Sequence, residues 1–552
     1  MKLLTGLILI LTLPLLVNGQ EEKENLGDKE YVIIKDYKPV LGESFKISDS
    51  PEGDTSTSTP PPLDYSIRPL KMTSDYELST IKAVKIKDEQ LAKLYRSYLK
   101  LGIGNYTTYT GDLYVNALRS KKGTLGFAVN HRSGNPGLKN AGSAGFSKTH
   151  AGVNGKYFLE HSTFSGDLDY DRKAVHFYGY NPADTIIEKS LLKQRFNNFG
   201  MLLSLGSNYL SDDHLDYKGT FGFSTINDIN EVTENDFLIG GKLGKKEDVY
   251  YVNLDMSFNY FKKTLAKSEL LTLNNELSRS IVTFIPTVSF NRDNIDLVLG
   301  LNFGVEKNLG SKIHFFPKID LSLPIAEHIL YAFVGVNGNI IKNSFKTISD
   351  ENPFVTSSLL PLNTINKLEL KAGLNGNFSS LISFMAQVKH TTYDRMLLFY
   401  DDVTYFNKFN VLYIDGKVLN LHAELTYTLT EKFTAALRFD QYSYSMEQNA
   451  KAWHKPNTEV ALNAKYNFWD KIIINAALFS KGKYFVRIDT DNGYYSKKVD
   501  GYFDANLGLE YRYSKILSIY VDLNNLGVSR YYLWNDYPSE RLNVIGGIKY
   551  SF

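Results

Sequence analysis

The chain has 552 residues, a formal net charge of +2 and no cysteine, which excludes disulfides, thiol chemistry and a lipid-modified N-terminal cysteine. Sixty-two Lys and Arg against 60 Asp and Glu offer nothing to nucleic acid or any other strongly charged partner. Aromatic residues reach 13% although the mean hydropathy is only −0.25, a combination produced by a transmembrane β-barrel, where polar lumen residues cancel a lipid-facing side rimmed by aromatics.

Met1-Lys2 leads into an apolar run from Leu3 to Val17, and Val17-Asn-Gly19 supplies small residues for cleavage before Gln20, so residues 1–19 read as a secretory signal peptide. No later stretch is long and apolar enough for a spanning helix. Residues 20–63 read as a flexible periplasmic leader, with Ser50-Pro51-Glu-Gly-Asp and Asp54-Thr-Ser-Thr-Ser-Thr-Pro60-Pro-Pro62 as its marks. Within it, Glu30-Tyr-Val-Ile-Ile-Lys35 reads as a short docking strand, or as a peptide captured by a periplasmic energy-coupling protein through strand addition. Residues 64–96 are expected to be short helical or irregular structure, the helix resting on Asp88-Glu-Gln-Leu91-Ala-Lys-Leu94-Tyr95. Leader and helix together fall short of an ordinary domain of about 100–150 residues, so no separately folded plug is expected.

From residue 97 to 552 the period is 2, and the spacing predicts a barrel. Val252, Leu254, Met256, Phe258 and Tyr260 alternate with Asn253, Asp255, Ser257 and Asn259. Leu419, Leu421, Ala423, Leu425, Tyr427 and Leu429 oppose Asn420, His422 and Glu424; Phe503, Leu507, Leu509, Tyr511 and Tyr513 oppose Asp504, Asn506, Glu510 and Arg512. Leu517, Ile519, Val521 and Leu523 oppose Ser518, Tyr520, Asp522 and Asn524. In the last strand Leu542, Val544, Ile548, Tyr550 and Phe552 share one parity with Gly546 as its gap, while Ile545 is the apolar exception among Arg541, Asn543, Lys549 and Ser551. Tight links at Lys121-Lys122-Gly123, Lys246-Glu-Asp248, Ser379-Ser380, Thr430-Glu-Lys432, Asp470-Lys471 and Ser514-Lys515 separate long ones at 134–146, 181–193, 266–279, 347–365, 446–457 and 490–498. Short periplasmic turns and long outer loops have this asymmetry. Both ends of the barrel lie at the periplasm, so the strand number is even; keeping 409–429 as one strand despite Asp415-Gly416 gives about 22, with 16 as the lower bound.

The closing pair, Val521-Asp-Leu-Asn-Asn-Leu526 followed by Tyr531-Tyr532, Trp534 and the strand to Phe552, resembles the end of TonB-dependent receptor barrels. Tyr98-Leu-Lys-Leu-Gly-Ile-Gly-Asn-Tyr106, Asn130-His131-Arg-Ser133 and His176-Phe-Tyr-Gly179 resemble Gram-negative barrels related to those receptors in the barrel alone. The resemblance implies an outer-membrane barrel; the chain departs from the receptors in having no room for their N-terminal plug, so it does not imply energised uptake.

Candidate chemistry lies on the inward parity. Asp504, Asn506, Glu510, Arg512, Asn420, His422 and Glu424 are the expected lumen residues, joined by Lys371, Lys389, Arg438, Lys465 and Lys549. Asp167, Asp169 and Asp171 recur on one face as a conceivable cation site, although three ligands from one strand rarely converge on one ion and a solvated acidic stripe explains them as well. None of the ten histidines has HExxH or another ligand spacing and there is no activated-nucleophile motif, so neither an enzyme nor a cofactor is expected. Leu270-Leu271-Thr-Leu273-Asn-Asn-Glu-Leu277 reads as a small helix in an outer loop. Trp453, Tyr494, Tyr495, Trp534 and Tyr537 read as the outer aromatic girdle, or else as loop tips that anchor a partner. The expected function is solute transport across the outer membrane; the alternative is a structural subunit of an outer-membrane assembly or secretion complex. Expected partners are outer-membrane lipid, the insertion machinery that reads the C-terminal strand, and an envelope protein met by the leader or outer loops.

Overall fold

The computed structural model describes residues 95–552, apart from 118–119, 209–213, 265–275, 309, 328, 403–406, 431 and 491–492. The expected signal peptide, leader, helix before Tyr95 and lack of a plug fall outside the described residues, as does most of the expected loop helix at 270–277; its last two residues, Glu276 and Leu277, open a strand.

Alternation does what the pleat requires. In the strand Phe409–Leu429, Leu419, Leu421 and Leu425 point outward and are each about two-fifths exposed, whereas Asn420 between them is buried. Repeated through the chain, this makes a single sheet of 22 antiparallel strands, each paired with its neighbour in barrel sequence. The first strand, Ser97–Gly104, pairs with the last, Asn543–Ser551, setting Leu101 opposite Ile548 and Gly102 opposite Gly547. The sheet is thereby closed, and no row of backbone groups is left unpaired in the hydrocarbon. Two small ladders stand outside the barrel in outer loops: Tyr484–Thr490 with Gly493–Val499, and Tyr532–Trp534 with Tyr537–Pro538.

The Asp415-Gly416 pair lies inside a continuous strand of 21 residues, Phe409–Leu429. Its aspartate has another task. The partner strand, Ile382–Asp401, bulges between Tyr393 and Met396, with Arg395 at a φ of 55°, and Asp415 Oδ1 accepts the Arg395 N–H at 2.7 Å. Of the segment 490–498, expected to be a long link, residues 493–498 belong to a strand, Gly493–Val499, paired with Tyr484–Thr490.

The closing seam is locked from inside. Tyr520, on the strand Leu517–Asn524, lies opposite Gly547, which lies opposite Gly102 on the first strand. A methyl group at Gly102 would stand 2.1 Å from the Tyr520 hydroxyl, so that hydroxyl occupies the space the glycine leaves, while one at Gly547 would stand 1.9 Å from the Leu101 carbonyl oxygen. Tyr520 is 1% exposed, meets Thr110 Oγ1 at 3.3 Å, and carries Lys100 Nζ 4.3 Å above its ring.

Strands of 15 to 21 residues exceed the about 9–11 needed to cross a bilayer. The excess lies at the end away from Phe552. There the outward-facing Lys262 and Glu276 pair at 2.7 Å, which places that height above the hydrocarbon, where charge on the outer wall is tolerated.

Candidate functional site: the closed outer mouth

The feature that most affects the lumen is the connection at residues 342–363, between the strands Leu330–Ile341 and Thr364–Ser379. It carries one short helix, α1 (Phe345–Glu351). Ser344 caps it: Thr347 N–H donates to Ser344 Oγ at 3.1 Å and Ser344 N–H to Thr347 Oγ1 at 2.8 Å. A carboxylate from the barrel wall adds to the cap. Glu234, on the eighth strand Thr233–Glu247, accepts from the amides of Phe345 at 2.8 Å and Lys346 at 3.5 Å, two donors a helix start would otherwise leave without a partner.

Glu234 is held in turn by Arg279, 3.4 Å away on the tenth strand, and neither side chain is more than 2% exposed. Arg279 also donates to the Asn343 carbonyl at 2.8 Å and lies 4.2 Å from the Phe261 ring centre. Lys263, on the ninth strand, donates to the carbonyls of Ser357 at 3.0 Å and Leu359 at 2.5 Å. Further round, Asn363 Nδ2 donates to Glu306 at 3.2 Å and Leu362 N–H to the Tyr413 hydroxyl at 2.7 Å. On the other side Lys173, from the fifth strand Ser162–His176, reaches Asp350 at 3.1 Å and the Ser349 carbonyl at 3.3 Å. A loop rooted between the thirteenth and fourteenth of 22 strands can meet the fifth only across the bore. It is a lid.

Its underside is apolar. Phe345, Ile348, Phe354, Val355 and Leu359 form one buried cluster with Val175, Phe177, Phe196, Ile226 and Val232 on one side and Leu397, Phe399 and Phe409 on the other. The segment 525–542 completes it. Tyr537 stacks on Phe354 with ring centres 4.0 Å apart and donates its hydroxyl to the Asn407 carbonyl at 2.5 Å, and Asn407 Nδ2 donates to the Phe177 carbonyl at 3.2 Å. Gly179 is required here, because a methyl group on it would lie 2.4 Å from the Tyr537 ring.

Three of the five aromatics expected in the girdle are therefore elsewhere. Trp453 is fully buried with its indole N–H on Ser496 Oγ at 3.2 Å, Trp534 packs between Phe399 and Phe409, and Tyr537 is 1% exposed. The outer loops fold inward, so these rings are covered by one another and not by lipid. Tyr494 and Tyr495 alone stay exposed, at the tip of the hairpin. His454 sits in the same cluster against Phe409, Tyr484 and Trp534 with both ring nitrogens buried and unpartnered; burial, and then Lys455, push its imidazole down to about 3, so it stays neutral. Asp401, the outermost residue of its strand, accepts from Asn535 Nδ2 at 2.7 Å, and burial pushes its carboxyl up to about 7 against that hydrogen bond.

The expected lumen residues lie on the inner face below the lid. Asn420, His422 and Glu424 meet Asp440 and Arg438: His422 Nδ1 is 2.9 Å from Asp440, His422 Nε2 3.2 Å from Glu424, Asn420 Nδ2 3.2 Å from Asp440, and Arg438 Nε 2.7 Å from Asp440. Glu510 pairs with Lys549 at 2.5 Å and stands 3.7 Å from Arg512. Asp504 accepts from the Tyr531 hydroxyl at 2.9 Å, and Asn506 from the Asn525 amide at 3.0 Å. Lys371 pairs with Asp320 at 2.8 Å, and Lys389 and Lys465 lie on inward registers opposite Lys371 and Thr434. Asp169 and Asp171 flank His150 at 3.7 and 2.8 Å, and Asp167 lies opposite Asn154 one register further. Among the described residues no three ligating side chains stand close enough to hold a metal ion. In the last strand Val544, Ile548, Tyr550 and Phe552 face outward, Ile545 is buried inward, and Leu542 lies just before the ladder.

No motif or spacing marks Glu234, Lys263, Arg279 and the lid's Phe354 as a unit. A signal was present: Phe196, Phe261 and Ile281 are large apolar residues on the inward parity at the outer ends of their strands, where a water-filled lumen would place polar ones.

No protein-family model matches the sequence, and neither does any curated protein. Solved structures share the fold. The siderophore receptor PirA from Acinetobacter baumannii superposes with a TM-score of 0.64 at 10% identity, over 84% of this chain and 81% of that one. The pyoverdine outer-membrane receptor FpvA from Pseudomonas aeruginosa, bound to pyoverdine, gives 0.62 at 11% over 84% and 79%, and the copper transporter OprC 0.61 at 11% over 84% and 82%.

Proposed function

We propose that this chain is an outer-membrane channel for a solute, shut at its outer mouth by its own loops and opened by release of the 342–363 lid. The observation that carries this reading is the lid itself, fastened to inward side chains from the fifth strand to the sixteenth by hydrogen bonds and ion pairs. An apolar underside alone would make a permanent core. Here Glu234, Arg279 and Lys263 are buried at the contact, and charge desolvated against another surface costs enough to keep docking reversible. Below the lid the wall is polar and of mixed sign, as an aqueous passage requires.

The likeness to siderophore and copper receptors supports the shape and the outer-membrane setting, with a cleaved signal peptide and insertion through the C-terminal strand as parts of the same reading. Liposome swelling tests it. Vesicles holding the wild type should admit small sugars slowly, and vesicles holding a chain with 346–359 replaced by a short glycine linker should admit them fast; equal slow rates for both would refute a passage beneath the lid.

A second reading, a subunit of an envelope assembly, is favoured by the hairpin Tyr484–Val499. Its tip exposes Tyr494 and Tyr495, while Arg487 packs 4.2 Å from the Tyr494 ring centre and holds it in place. Preorganised aromatics of this kind anchor protein contacts.

A further inference from the structure

Arg132, Lys148 and Lys173 occupy matching positions on three adjacent strands: Arg132 is opposite Lys148, and Lys148 opposite Lys173. All three belong to the inward parity, at the height of the lid. Lys173 is engaged by Asp350 and the Ser349 carbonyl, and Asp350 is shared with Lys346 at 2.9 Å. Lys148 has no hydrogen-bonded or ion-paired partner among the described residues. Beside this row is a cavity of about 270 Å³, walled by Lys148, Lys173, His176, Tyr178, the lid's Phe354 and Glu540. His176 Nδ1 donates to the Gly145 carbonyl at 2.6 Å, which fixes the ring against the cavity wall. Most of the remaining wall is carbon, from Pro136, Leu138, Ala144 and Phe146.

We propose that this cavity binds a small carboxylate with an apolar, ring-sized body, and that the ligand's head group takes over the place on Lys173 that the lid's Asp350 holds in the closed protein. A volume of about 270 Å³ is too small for a drug-sized molecule and right for a single ring with a charged substituent. Two ammonium groups on one side, with the wall's one carboxylate, Glu540, answered by the Arg132 guanidinium, and aromatic carbon on the other favour an amphipathic anion over a free inorganic one, which would leave the apolar wall uncovered. Lys173 provides the link to the lid. Because one ammonium cannot hold two carboxylates as well as one, an incoming anion weakens the tie at Asp350 while its body presses on Phe354. The binding site stands on the cavity and the basic row alone; its effect on opening rests on the channel reading above.

Isothermal titration of the full chain in detergent micelles, with benzoate as probe and acetate and benzamide at matched ionic strength, tests the proposal and reads binding without conduction, so a channel that fails to open does not obscure the result. Benzoate should bind about tenfold or more tightly than either control, the worth of one charge-assisted hydrogen bond or of the apolar body. Lys148→Gln should weaken benzoate by about tenfold, and Asp350→Asn, which removes the internal competitor, should strengthen it severalfold. Both variants should keep the heat resistance of the wild-type barrel, which shows that they fold. Benzamide binding as well as benzoate, an unchanged affinity in Lys148→Gln, or no gain in Asp350→Asn would overturn the proposal.

Discussion

Phe354 and Tyr537 stack at 4.0 Å between ring centres although one comes from the lid at 342–363 and the other from the segment before the closing strand. The two loops are rooted far apart on the circumference, so they meet over the mouth between them.

Truncating that contact should loosen the lid. Phe354→Ala removes a large ring from a buried cluster, a change worth about 3–5 kcal/mol where the site cannot collapse. The ladder pairing of the barrel is untouched. Single-channel recording should therefore show a higher open fraction with unchanged heat resistance, whereas a drop in both would mean that Phe354 supports the wall.

The buried pair beneath α1 should behave asymmetrically. Arg279→Met removes the ion-pair partner of the Glu234 carboxylate and should weaken docking by about 3–5 kcal/mol, while Arg279→Met with Glu234→Leu should be milder because the buried carboxylate goes with its partner and Lys263 keeps the Ser357 and Leu359 carbonyls. Trypsin cleavage after Lys346 reports the difference: fast in the single variant, slower in the double.

Acid should tighten the segment 525–542 through Asp401. Its carboxyl, raised by burial to about 7 from an ordinary 3.8, keeps in the docked state a proton that the released chain has lost. The stabilisation is full below 3.8, declines as pH rises toward 7, and is level above that. Hydrogen exchange at 525–542, corrected for intrinsic rate, should be slower at about pH 5 than at about pH 8, and Asp401→Asn should flatten the profile.

The seam predicts its own failure. Tyr520→Ala leaves Gly102 facing a void and should cost about 3 kcal/mol, and Gly102→Val should cost more because its side chain enters the space of the Tyr520 hydroxyl and Thr110 Oγ1. Gel shift on heating in detergent should occur at a lower temperature for both. An unchanged transition would show that the ring is not part of closure.

The barrel was legible because each strand states its two faces at period 2: Leu419, Asn420 and Leu421 suffice to orient their strand, and Phe552 marks the lower rim. Even Asp415-Gly416 could be read through, since counting back from Phe552 a turn there would have put the tight Ser379-Ser380 link at the outer end. The lid was not legible for a physical reason. A loop has no period, and whether Phe354 or Trp534 meets lipid, water or another loop depends on contacts between segments far apart in the chain. Glu234 and Arg279 are 45 residues apart, and nothing in either neighbourhood names the other.

On the reading proposed above, the bore is closed by the 342–363 lid and is otherwise passable. Planar-bilayer conductance, wild type beside the chain with 346–359 replaced by a glycine linker, decides it. The wild type should be nearly silent and the variant should carry large, steady single-channel currents; a wild type already open, or a variant as silent as the wild type, would refute a bore shut by the lid.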